Sequence, residues 1–102
     1  MLILTYWELN ENMPVEERLK VGQKLMSSKM FPPNGFNILR WDITPDSWGI
    51  LLAEAESADV VAEALNLWRT AGSGFFKIAK TAPARPVPEA IAQGAELLKA
   101  LS

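Results

Sequence analysis

Five clusters of turn-forming residues and one capping serine cut this 102-residue chain into seven stretches, none long enough for more than one helix or strand. The clusters are Asn10-Glu11-Asn12-Met13-Pro14, Pro32-Pro33-Asn34-Gly35, Thr44-Pro45-Asp46-Ser47, Gly72-Ser73-Gly74 and the spaced prolines Pro83, Pro86 and Pro88; the serine is Ser57. A chain divided in this way buries apolar surface by layering short elements on one another. No internal repeat or low-complexity stretch offers another plan.

Between the breakers, residue pattern assigns each stretch. Leu2 to Glu8 is rich in β-formers and aromatics and reads as a strand. Pro14 suits the first turn of a helix, where a missing N–H costs nothing, and Glu16 and Glu17 favour its positive end. Val15, Leu19, Gly22, Met26 and Met30 follow at helical spacing, widened by Val21 and Leu25, and this stripe is expected to face the core. Phe36 to Thr44 and Trp48 to Glu56 read as a hairpin whose turn has Pro45 at its second position. Ser57 caps a helix with the stripe Val61, Leu65 and Trp68, broadened by Val60, Ala64 and Leu67. Phe75 to Thr81 reads as a fourth strand, and a last helix carries Val87, Ile91, Gly94, Leu98 and Leu101.

Strand, helix, strand, strand, helix, strand is the order of the split βαβ plan. The expected fold class is therefore α+β: a ferredoxin-like βαββαβ sandwich over residues 1–83, with a Pro-rich connector and an extra C-terminal helix of the same domain over 84–102. The strands do not alternate apolar with polar. Leu2, Leu4 and Tyr6 share one face of the first strand, and Ile3 and Trp7 the other; Ile50 and Leu52 oppose Leu51, Ala53 and Ala55 in the third. Both sheet faces thus need a cover, and only one is supplied by the two helices of the plan. Two covers are possible, a partner sheet or the C-terminal helix folded back; the expected one is a second copy packed face to face, with the C-terminal helix lying around the dimer or its rim.

Composition removes whole classes of chemistry. The chain has no histidine and no cysteine, which excludes disulfides, thiolate nucleophiles, Ser-His-Asp and Cys-His triads and the common zinc sites. No Asp-x-Asp-x-Asp-Gly loop replaces them, so no metal and no cofactor is expected. A net charge of −2 offers no field for nucleic acid, and the third strand lacks the basic-Gly-aromatic pattern of ferredoxin-like RNA-binding domains. Gly72-Ser73-Gly74 follows a helix rather than opening one, the wrong polarity for a phosphate cradle. The apolar start Met1 to Trp7 has no basic segment before it and no stretch suits a bilayer, so a cytoplasmic protein without membrane contact is expected.

Arg40-Trp41-Asp42, Gly49, Glu54 and the helix ending Ala64-Leu65-Asn66-Leu67-Trp68 resemble a bacterial family of domains of unknown function within the dimeric α+β barrel superfamily. The resemblance spans roughly Leu2 to Pro83. It implies two ferredoxin-like sheets closed on each other as a homodimer or higher homo-oligomer. Asp42 stands where that family carries a histidine, so no role resting on an imidazole transfers, and the haem-binding branches lose their axial ligand.

Several residues are candidates for a site. Arg40 and Asp42 alternate on one strand and share a face. Lining a barrel, the guanidinium would hold a carboxylate or enolate oxygen with Asp42 as its orienting partner; near the hairpin end, the two would form a solvated pair. Glu54 follows the apolar run Ile50 to Ala53 and is the candidate catalytic base beside Trp7 or Trp41, or else a solvated carboxylate paired with a lysine such as Lys77. Trp7 and Trp41, two of four tryptophans, are candidate ligand-binding walls, whereas Trp68 reads as core. The expected function is binding of a small hydrophobic or anionic aromatic metabolite. The alternatives are a cofactor-independent monooxygenase or isomerase and a structural or assembly protein with a filled barrel.

Overall fold

The computed structural model describes every residue, Met1–Ser102. The elements follow in the order β1 (Leu2–Leu9), α1 (Val15–Ser28), β2 (Phe36–Ile43), β3 (Trp48–Ala55), α2 (Ala58–Ala71), β4 (Phe76–Pro83) and α3 (Val87–Leu101). The strands form one antiparallel sheet in the order β2-β3-β1-β4. This is the α+β, ferredoxin-like arrangement that the element order predicts. No helix is long and apolar enough to cross a membrane.

The sheet has a helix-covered face and an open one. Ile3, Thr5 and Trp7 of β1 pair with Ala53, Leu51 and Gly49 of β3, and all are buried. The core grows from these positions: Ile3, Leu51, Ala53 and Ala55 of the sheet pack with Leu25 of α1, Ala64 of α2, and Phe31 and Phe36. Ser57 caps α2 as expected, its hydroxyl accepting from the Val60 N–H.

Two features depart from the expected pattern. The buried residues of α1 are Val21 and Leu25, while Val15, Leu19, Met26 and Met30 of the expected inward stripe are exposed. The reason lies in helix-to-helix packing. Gly72, at the end of α2, lies so close to the Val21 side chain that no Cβ would fit between them, and this close approach turns Val21 inward. In addition, β4 runs on to Pro83, two residues beyond the expected end, because Ala82 and Pro83 continue the pairing with Leu4 and Ile3.

α3 makes no contact with any other helix or strand. All of its residues are exposed, among them Val87, Ile91, Leu97, Leu98 and Leu101. The chain is accordingly drawn out to 54 × 29 × 20 Å, with a radius of gyration of 16.3 Å. About 13 Å is usual for a compact domain of this length.

Candidate functional site

A partly open cavity of about 280 Å³ lies between the helix-covered face of the sheet and α2. Thr5 and Trp7 of β1, Leu51 of β3, and Ala79 and Thr81 of β4 contribute from the sheet, and Val61, Leu65 and Trp68 contribute from α2. Helical spacing brings Val61, Leu65 and Trp68 onto one side of α2, which is why this helix can close over an aromatic sheet.

The walls are a connected set of rings. Trp68 stacks on Phe75 with centroids 5.4 Å apart and meets Trp41, Phe31 and Phe76 edge-on at 5.9, 5.4 and 5.8 Å. Phe76 in turn meets Trp7 at 6.0 Å. These separations lie within the range of favourable aromatic pairs. Gly49 makes the Trp7 wall possible: a Cβ there would fall on the Trp7 ring and on the Asp42 carbonyl oxygen.

Of the 18 lining residues, 14 are apolar, which leaves Thr5, Asp42, Arg69 and Thr81 as the polar ones. Thr5 and Thr81 are direct partners across β1 and β4, and their hydroxyls are 3.0 Å apart. Arg69 is exposed, in the last turn of α2. The Asp42 side chain belongs to the opposite face of the sheet, where its carboxylate accepts from the Arg40 guanidinium.

A bulge sorts the candidate residues between the two faces. Ile38 pairs with Ala53 but Arg40 pairs with Leu52, so Leu39 is an extra, unpaired residue in β2. After it Trp41 pairs with Leu51 on the helix-covered face, while Arg40 and Asp42 pair with Leu52 and Ile50 on the open face. Trp7 and Trp41 therefore line one cavity, and the Arg40–Asp42 pair sits across the sheet from it. Glu54 pairs with Leu2 and Asn37, also on the open face, and its carboxylate is 3.5 Å from the Met1 amino group. The structure does not bring Glu54 beside either tryptophan. Thr5, Thr81 and Arg69 were not singled out by sequence. The available signal was Thr5 itself, a hydroxyl at the alternate position between Ile3 and Trp7 where the pattern calls for an apolar side chain.

The open face mixes apolar side chains with charges, several of them partnered within it, while Lys80 opposite Tyr6 is exposed and has no ion-pair partner. Leu4 and Ile50 are 44% and 37% exposed. Besides Arg40–Asp42, the Tyr6 hydroxyl donates to the Glu8 carboxylate at 2.7 Å, and that hydrogen bond holds the phenol above its ordinary titration range. No group of three or more acidic residues is placed to hold a metal ion.

No family model matches the chain, and no curated protein matches it. Among solved structures it is similar to protein Atu4242 from Agrobacterium tumefaciens, at 13% sequence identity and a TM-score of 0.50, over 84% of this chain and 92% of that one. That likeness concerns the fold, a ferredoxin-like α+β sandwich.

Proposed function

We propose that this protein binds a small planar aromatic metabolite in the cavity between its sheet and α2. The observation that carries the reading is the aromatic enclosure of Trp7, Phe31, Trp41, Trp68, Phe75 and Phe76 around unfilled space. An apolar cavity of about 150 Å³ already takes up benzene, and 280 Å³ offers room for two fused rings. Flat rings match such walls, because edge-on and stacked contacts reward them beyond the area they bury. Equilibrium dialysis against naphthalene tests the reading. The expected result is saturable binding of one molecule per chain at micromolar to millimolar levels, typical of small apolar ligands. Absence of saturable uptake would overturn it.

The protein acts, in this reading, as a dimeric α+β barrel in which two open sheet faces meet. Four strands about 4.8 Å apart and eight residues long give a face of roughly 500 Å². Two such faces reach about 1,000 Å², the lower limit for a specific interface, and the apolar arm α3 adds to it. Covering this face costs desolvation of Arg40, Asp42, Glu8 and Lys80, which the Arg40–Asp42 and Tyr6–Glu8 contacts offset only in part, so the apolar side chains Leu4, Ile50 and Leu52 must carry the pairing. Sedimentation equilibrium should return at least twice the chain mass of 11.3 kDa. A monomer at micromolar concentration, on the order used for such runs, would refute the paired sheets.

A further inference from the structure

We infer that the Thr5–Thr81 hydroxyl pair is the polar subsite of the cavity and selects an aromatic ligand bearing one uncharged oxygen, a hydroxyl or a carbonyl. The inference rests on the cavity being a ligand site and adds what the ligand must carry.

Two hydroxyls facing each other hold two protons and four lone pairs. Their mutual hydrogen bond uses one proton and one lone pair. The second proton and the remaining lone pairs have no protein partner, although Thr5 is only 9% exposed and both residues line the cavity. Valine at either position would keep the shape and the strand propensity and would spare the desolvation of a hydroxyl. The neighbours on the same face, Ile3, Leu51 and Ala53, are apolar. The pair is thus a half-buried donor and acceptor with unused capacity in an otherwise apolar floor, and a ligand oxygen lying against it satisfies both.

Charge decides the state of that oxygen. No cation lies on the floor: Arg69 is an exposed residue of α2, across the cavity from the sheet, and Arg40 is engaged with Asp42 on the opposite face. An anionic oxygen buried against two neutral hydroxyls would lose its hydration without a counter-charge. The subsite therefore takes a phenol or a carbonyl and rejects a carboxylate at that depth. The hydroxyl pair can donate to a carbonyl or accept from a phenol by rotating its protons.

The test compares 2-naphthol with naphthalene in equilibrium dialysis, on the full chain and on Thr81→Val, Thr5→Val and Thr81→Ser. The parent should hold 2-naphthol about five- to tenfold more tightly than naphthalene, the discrimination expected of one neutral hydrogen bond. Either valine variant should lower that ratio, the Thr5→Val/Thr81→Val double variant, which leaves no hydroxyl, should bring it to about one, and Thr81→Ser should keep the preference. The two valine variants provide for the failure of one to fold, which far-ultraviolet circular dichroism would show. A preference that persists undiminished in the folded valine variants, with naphthalene still bound, would overturn the hydroxyl subsite and leave the cavity reading standing. Failure of the parent to bind either compound would overturn both.

Discussion

Gly49→Ala is expected to lower the stability of the fold by about 3 kcal/mol, at the upper end of what an overpacked core costs. The position lies on the central strand β3, between Trp7 of β1 and Ile43 of β2. A methyl group there would strike the Asp42 carbonyl oxygen, which is held in the β2 ladder, and the Trp7 ring, which is 8% exposed. Neither can yield locally, because the carbonyl belongs to the backbone and the ring is enclosed by its aromatic neighbours. The urea midpoint should fall with the slope unchanged. An unchanged midpoint would mean that Trp7 does not rest on this glycine.

Trp68→Ala should cost about 3 kcal/mol as well, by the different route of an emptied site. In a domain of this length the melting temperature should drop by roughly 12–24 °C. Trp68 pairs with four other rings, from α2 to β2, β4 and the segments that precede β2 and β4. Its loss therefore removes contacts among four parts of the chain at once. It also enlarges the cavity and removes a wall, so naphthalene affinity should fall at least tenfold, as expected when a large buried contact is lost. A variant that melts lower but binds naphthalene as the parent does would place the ligand elsewhere than against α2. Bound naphthalene should raise the melting temperature of the parent and leave that of the variant unmoved.

The sheet faces were readable from sequence because β1 and β3 pair in regular register, so simple alternation separates Ile3 and Trp7 from Leu2, Leu4 and Tyr6. Alternation also placed Arg40 and Asp42 on one face. It sets Trp41 on the other face but does not say which of the two faces meets the helices. The bulge at Leu39 decides that question, and a bulge leaves no mark in residue types of this kind. The α1 stripe is right only at its margin, for another reason. Val21 and Leu25, read as the widening of the stripe, are its buried part, whereas Val15, Leu19, Met26 and Met30, which periodicity puts at its centre, are exposed. What orients α1 is contact with α2 at Gly72, a long-range fact. The hydroxyls of Thr5 and Thr81 are 76 positions apart in the chain, and only strand pairing reveals them as neighbours.

The detached position of α3 bears on what an unfolding curve of this protein measures. An isolated 15-residue helix is marginal in water, with no tertiary packing to hold it. Its melting is uncoupled from that of residues 2–83, so a monomer has two thermodynamic units rather than one. Helical signal would fade gradually from the arm while the aromatic signal of the sandwich drops in a single step. In the proposed dimer, a second copy lying on the arm would merge the two processes, and cooperativity itself would become a function of protein concentration.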